Sequence, residues 1–255
     1  MGWMLVILSV FVVWVASLWK IFFSDSKPSF LNEDSPLLKK NVLLVVAHPD
    51  DESMFFSPTI NYLTSRGHTV YLLCMSIGNA DGMGSNRKDE LYRACVVLKV
   101  QLDRVKVLDH PDLQDGFGQV WNHCLLENII EEEVYSHVID VIITFDSYGV
   151  SGHCNHGDVH YGVRKFLNDS APGNIEAWEL VSINLLRKYT GLFDVWMSNL
   201  DVKRHPRGVI HCLLNEQPRK SFLAMAQHVS QWVWFRKLFV TFSSYTYINT
   251  LRKME

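Results

Sequence analysis

From residue 41 onward, short apolar runs alternate with segments of helical spacing, and this alternation constrains the fold more than any other feature of the chain. Residues 41–47 (NVLLVVA), 68–76 (HTVYLLCMS), 104–109, 138–145 (VIDVIITF) and 179–186 read as strands, with 209–214 a possible sixth. Runs this apolar and this short belong to strands buried on both faces. Between them, residues 54–66, 86–99, 120–135 and 157–167 read as helices. In the second of these, Leu91, Cys95 and Leu98 fall on one face. Strand–helix alternation implies an α/β fold, a mostly parallel sheet with helices on both faces. Ligands of such sheets sit beyond the C-terminal ends of the strands.

The chain has 255 residues, 48% of them apolar, enough for one domain with a substantial core and too apolar for disorder. A net charge of −3 excludes a generally basic nucleic-acid binder. The charge is uneven. Residues 201–255 carry nine Lys and Arg against three Asp and Glu, a balance of +6, while the first 200 carry 15 against 24, a balance of −9. A basic, aromatic C-terminal part suggests an anionic surface or substrate nearby. Five cysteines without a Cys-x-x-Cys pair argue against a disulfide scaffold and fit a reducing compartment.

Residues 3–19 are almost wholly apolar, interrupted only by Ser9 and Ser17, and Ile21, Phe22 and Phe23 follow Lys20. About 20 helical residues span roughly 30 Å of hydrocarbon. No positive region precedes the run, so it predicts an uncleaved transmembrane anchor over residues 1–23 rather than a signal peptide. Lys20, Lys27, Lys39 and Lys40 all follow it, which places the body on the cytoplasmic side. Residues 24–40, with Pro28 and Pro36, read as a linker, and 41–255 as the folded domain.

Two loops at strand ends hold the chemistry. His48-Pro49-Asp50-Asp51-Glu52 puts one imidazole and three carboxylates in five residues. Adjacent acids repel unless a cation neutralises them, and imidazole with carboxylate suits Zn²⁺ or another first-row divalent ion. The loop 146–160 holds His153, His156 and His160. One of them would supply a third ligand, leaving a position for water, and a second could stabilise developing charge. Cys154 reads as a packed thiol, and His228 as a core or surface histidine that could reach the site.

This combination, His48-Pro49-Asp50-Asp51-Glu52 followed by His153-x-x-His156, resembles the LmbE-like (PIG-L) de-N-acetylases, a family of metal-dependent amidases with a Rossmann-like sheet. The resemblance covers about residues 41 to 255. The anchor and the strings Phe145-Asp146, 149–153, 186–189 and Trp234-Phe235-Arg236 look like the branch acting on N-acetylglucosaminylphosphatidylinositol, the second step of glycosylphosphatidylinositol-anchor synthesis at the endoplasmic reticulum membrane. It implies a divalent metal, Zn²⁺, held by His48, Asp51 and His156. It implies Asp50 as general base, His153 as oxyanion stabiliser or proton donor to the leaving amine, and Glu52 as support. Arg87 and Glu90 are implied as a substrate-binding pair. Some members carry tyrosine where Ser151 stands and an acid where Asn155 stands.

The implied reaction is hydrolysis of the N-acetyl group to acetate and a glucosaminyl lipid, with the glycolipid and the membrane as partners. Two other readings are a de-N-acetylase of another N-acetylated sugar conjugate and a non-catalytic membrane-tethered binding subunit. Residues 231–253, rich in aromatic and basic side chains, fit either the membrane interface or a helix packed on the sheet.

Overall fold

Successive side chains of the first strand bury on opposite faces of a sheet, as the unbroken apolar run requires. Val42, Leu44 and Val46 enter one core, and Leu43, Val45 and Ala47 enter the other. The computed structural model describes residues 2–22, 30–31, 39–116, 118–205 and 209–255. In chain order the elements are α1 (Gly2–Phe22), β1 (Asn41–Val46), α2 (Asp51–Met54), α3 (Ser57–Ser65), β2 (Thr69–Cys74), α4 (Gly84–Leu98) and β3 (Val105–Val107). Then follow α5 (His123–His137), β4 (Val141–Phe145), α6 (Gly149–Gly152), α7 (Cys154–Asp169), β5 (Glu176–Leu180), α8 (Leu185–Lys188) and α9 (Phe193–Arg204). The chain closes with β6 (Ile210–Leu214), α10 (Pro218–Met225), α11 (Trp234–Phe242), α12 (Ser244–Tyr247) and β7 (Ile248–Lys253).

The seven strands run in the order β3-β2-β1-β4-β5-β7-β6. β1 pairs in parallel with both β2 and β4, and β4 with β5, while β7 runs antiparallel between β5 and β6. The mostly parallel α/β sheet expected from the sequence is present. Helices cover both faces: Leu91, Ala94, Cys95 and Leu98 of α4 join one core, and Leu126, Ile130, Val159 and Val163 of α5 and α7 join the other. The order in which strands are added reverses between β1 and β4, which run parallel, so the crevice beyond their C-terminal ends is the natural ligand site.

Several expected boundaries shift. The segment 54–66 is two helices, broken at Phe55-Phe56 with Pro58 in the first turn of α3. Proline suits that position, where its missing N–H costs nothing. The loop 146–156 is partly helical, since α7 begins at Cys154. The fifth strand lies at Glu176–Leu180, upstream of 179–186. β7 was not anticipated, because its INTLRK sequence lacks an apolar run. It therefore divides the segment 231–253 into α11, α12 and a strand.

The apolar N-terminal segment forms the 21-residue helix α1. Taken over the described residues alone, no helix is long and apolar enough to cross a membrane, so the structure does not show the expected span. The C-terminal half of α1 docks on the domain: Trp14 stacks on Phe193 at 4.3 Å, and Leu18 packs with Val195 and Ile248. Most of the expected linker 24–40 lies outside the described residues. Of that segment Phe30 is buried, packing edge-on to Trp178.

Candidate active site

β1 and β4 deliver their two loops to the same end of the sheet. After β1 the chain turns sharply, with Asp50 at φ 113° and ψ −21°, a left-handed conformation that costs a non-glycine residue about 1–2 kcal/mol. Carboxylates hold the turn. Asp51 Oδ2 accepts from the backbone N–H of Ala47 at 3.0 Å and His48 at 2.8 Å, and Glu52 Oε2 accepts from Asp50 N at 3.0 Å. Glu52 is fully buried, and its Oε1 accepts from Ser53 Oγ at 2.5 Å and lies 2.7 Å from His228 Nε2. The acids of the motif therefore have separate tasks: Asp51 and Glu52 brace the backbone that presents Asp50.

After β4, Asp146 plays the same bracing part. Its Oδ1 accepts from Gly149 N at 3.0 Å and Ser182 Oγ at 2.6 Å, and its Oδ2 from Ser182 N at 2.7 Å. Val150 stands at φ 66°, a rare place for a β-branched residue. Its N–H donates to Ser182 Oγ at 2.8 Å, and its carbonyl accepts from Lys188 Nζ at 2.6 Å. Gly149, at φ +63°, is required where it stands, since a Cβ there would lie 2.3 Å from the Cβ of His156.

His48, His153 and His156 converge so that their ligating atoms lie within 4.8 Å of one another. Ring centroids are 4.9 Å apart for His48 and His153, 5.4 Å for His48 and His156, and 5.1 Å for His153 and His156. Asp51 joins them, its Oδ1 3.3 Å from His156 Nε2 and its Oδ2 3.9 Å from His48 Nδ1. The far side of each ring is occupied. His156 Nδ1 lies 2.9 Å from the Gly149 carbonyl, and His48 Nε2 lies 3.2 Å from Asn155 Oδ1 and 3.1 Å from Asp115 Oδ1. The Gly149 carbonyl takes the Nδ1 proton of His156, and Asp115 with Asn155 takes the Nε2 proton of His48, which turns His156 Nε2 and His48 Nδ1 toward Asp51 as the nitrogens a cation would use. Phe145 stacks flat on His156, centroids 4.2 Å apart and planes 1° off parallel, and fixes that ring. Two imidazole nitrogens and a carboxylate around one space are a donor set that fits a divalent first-row cation.

The electrostatics agree. Burial works against ionised Asp51, but His156 and His48 beside it hold its carboxyl well below the usual range. Burial likewise disfavours a charged His156, and Asp51 reverses this and raises its pKa. Burial, reinforced by His48 and His156, pushes His153 down to about 4. Asp115 is brought down to about 2 against its burial by hydrogen bonding to His48 and by Arg87.

Asp50 is gripped by two guanidinium groups. Arg87 Nη2 lies 3.5 Å from Asp50 Oδ2, and Arg236 Nη1 donates to the same oxygen. Among the described residues Asp50 Oδ1 takes no hydrogen bond, and the residue as a whole is buried. Arg87 also donates to the carbonyls of Pro49 at 2.9 Å and Gly78 at 2.8 Å and to Asp115 at 3.1 Å. Glu90 accepts from Ser230 N at 2.8 Å and Ser230 Oγ at 2.6 Å. Both expected substrate-binding residues are thus buried, with the Glu90 carboxylate and both Nη groups of Arg87 on protein partners and Arg87 Nε without one. His160 is placed away from the cluster, its Nδ1 3.1 Å from the Phe145 carbonyl and 3.3 Å from Glu179.

Asp115 and the role of Arg236 escaped the sequence reading, while His228, read there as a core or surface histidine that could reach the site, proves to be a core one. Asp115 lies in a loop with no pattern of its own, yet supplies a carboxylate behind His48, so neutral Asn155 is not the only partner of that ring. His228 is a fully buried histidine seated on Glu52, and Arg236 reaches Asp50 from α11. The string Trp234-Phe235-Arg236 was the available signal for the last of these.

The model of the family described as PIG-L: GlcNAc-PI de-N-acetylase matches residues 43–167, which contain both loops. The chain is 38% identical over 210 residues to the N-acetylglucosaminyl-phosphatidylinositol de-N-acetylase of Bos taurus, covering 82% of this chain and 81% of that protein. The chain belongs to this family. The probable N-acetylglucosaminyl-phosphatidylinositol de-N-acetylase of Dictyostelium discoideum, 33% identical, matches 88% of this chain and 97% of its own length. Among solved structures, the N,N'-diacetylchitobiose deacetylase from Pyrococcus horikoshii superposes with a TM-score of 0.60 over 84% of each chain. At 14% identity that likeness speaks for the fold alone.

Proposed function

We propose that this chain hydrolyses the acetamide of N-acetylglucosaminylphosphatidylinositol to acetate and glucosaminylphosphatidylinositol, the second step of glycosylphosphatidylinositol-anchor synthesis. The observation that carries the reading is the placement of Asp50, its Oδ2 held by two guanidinium groups, on the turn that also delivers His48 and Asp51 to His156. Family membership supports the choice of substrate.

His48 Nδ1, Asp51 and His156 Nε2 would hold the metal, which we assign as Zn²⁺. Such an ion polarises an amide carbonyl and lowers the pKa of a water at the site. Asp50 Oδ1 accepts the proton of the attacking water, while Arg87 and Arg236 hold the other carboxylate oxygen. His153 faces the same space and stabilises the carbonyl oxygen as charge develops there. The proton taken by Asp50 then passes to the departing amine. Glu52 supports the turn, with His228 behind it. In this reading Arg87 acts on Asp50, and Glu90 on Ser230, as positioning residues.

A lipid substrate calls for a membrane-bound enzyme. We assign α1 as the anchor of a single-pass protein with its catalytic domain on the cytoplasmic face of the endoplasmic reticulum. The reading rests on the apolar run of residues 3–19 in the sequence and on the apolar character of the exposed side chains Met4, Leu8, Phe11, Val13 and Trp19. Lysines after the segment set the orientation.

The test is acetate release from N-acetylglucosaminylphosphatidylinositol by detergent-purified full-length protein, with and without chelator, beside Asp50→Asn. Metal-dependent release that the variant loses while still binding metal is expected. Release of acetate from soluble N-acetylated sugars but not from the lipid would replace the substrate. No release by metal-loaded protein on either substrate class would sink the amidase reading.

A further inference from the structure

α11 presents three faces. Phe239 and Val240 are buried, and Arg236 points into the site toward Asp50. On the outer arc, Trp234, Phe235, Leu238 and Phe242 are 72%, 53%, 48% and 55% exposed, with Lys237 at its edge. At 100° per residue these four fall within one stripe, so the helix is apolar on the side it shows to solvent. A soluble surface helix shows the reverse.

That stripe continues across neighbouring elements. Tyr189 packs edge-on to Phe239 at 6.1 Å, and a Cβ on Gly191 would lie 3.3 Å from the Phe242 carbonyl. Phe193, 56% exposed, stacks on Trp14 of α1. Leu186, in α8, is 85% exposed, and the same short helix reaches the catalytic loop through Lys188 Nζ and the Val150 carbonyl. An apolar rim thus runs from α1 to the elements that hold Asp50 and Val150.

We propose that this rim seats the site on an anionic lipid leaflet, with Trp234, Phe235, Leu238 and Phe242 inserted at the headgroup boundary. The occupant is argued from two observations. The rim is continuous with α1, whose described exposed side chains are mostly apolar, and the exposed Lys237 stands at its edge to meet anionic headgroups. Amphipathic helices with aromatic and basic residues bind anionic bilayers in this way. The inference rests on the proposed glycolipid substrate: α11 would hold a lipid's tails in the leaflet while Arg236, on its other face, stands at the reacting end.

The experiment uses full-length protein in vesicles of phosphatidylcholine doped with phosphatidylinositol. Photoreactive benzoylphenylalanine is placed at position 235 or 238, and at position 96, an exposed site on α4, as control. Lipid adducts at 235 and 238 but not at 96 are expected. Absence of adducts at 235 and 238 in vesicles that still turn over the glycolipid would overturn the docking surface and leave the activity standing. Adducts without turnover would support the surface and count against the activity. In the same vesicles Leu238→Glu should raise KM about tenfold at nearly constant kcat. An unchanged KM in a variant with an unchanged melting temperature would also overturn the proposal.

Discussion

Arg236 Nη1 donates to the carboxylate of Asp50 across 186 residues of sequence, so a C-terminal helix completes a turn made at the end of the first strand. Arg87 meets the same oxygen at 3.5 Å. Removing Arg236 leaves Asp50 with one guanidinium and a freer rotamer. Arg236→Ala should lower kcat/KM by about 10- to 100-fold, the usual range for losing a residue that orients a catalytic group. Lysine cannot reproduce the planar fork, so Arg236→Lys should recover only part of the loss. Steady-state kinetics on the glycolipid check both. Wild-type rates for Arg236→Ala would remove it from the machinery.

His228 and Glu52 form a fully buried pair at 2.7 Å. Burial disfavours the His228 cation, and Glu52 outweighs it and raises the pKa. His228→Ala strips the carboxylate of a donor and opens a cavity, with an expected loss of about 3–5 kcal/mol, the range for breaking a buried pair. His228→Gln keeps a donor and should lose less. Thermal unfolding in detergent compares the two, and equal melting temperatures would mean that the pairing contributes little.

Gly149→Ala tests the close approach of the catalytic loop to α7. A Cβ there would sit 2.3 Å from that of His156, at a φ of +63°. Strain of this kind costs of order 1–3 kcal/mol before the clash is counted. Lower stability should be accompanied by a lower bound-metal stoichiometry, because His156 must move. Full metal content at wild-type affinity would contradict the packing described.

Lys220 carries a pH signature remote from the site. Burial, with Lys99 nearby, brings its ammonium down to about 8, while its Nζ donates to the Leu98 carbonyl at 3.1 Å. The folded chain therefore binds fewer protons than the unfolded chain between pH about 8 and the ordinary lysine value of 10.5. The penalty is present below this window and is relieved as pH rises through it. The difference in stability between wild type and Lys220→Met should accordingly shift in favour of wild type as pH rises from about 8 to 10. Half-exposure of the side chain keeps the effect small, and denaturant titrations at several pH values measure it. A difference independent of pH would show that Lys220 is freely solvated.

The sheet was legible because a strand buried on both faces leaves an unbroken apolar run, and β1 and β4 have such runs. β7 was not, because an antiparallel strand inserted between β5 and β6 needs only partial burial, and Ile248 to Lys253 alternates over too few residues to stand out. The break between α2 and α3 was also hidden, since its cause is local backbone geometry at Phe55-Phe56.

In the site, the adjacent His48, Asp50, Asp51 and Glu52 and the pair His153 and His156 were visible because chemistry that needs neighbouring residues leaves a neighbouring pattern. Sequence alone thus determined the fold class, the two loops and the ligand types. Tertiary structure decided how Asp51 and Glu52 brace the turn, the nitrogen each histidine presents, and the recruitment of Asp115, His228 and Arg236. The recruitment of those three depends on contacts between residues 67 to 186 positions apart, whose partners meet only after the strands have paired.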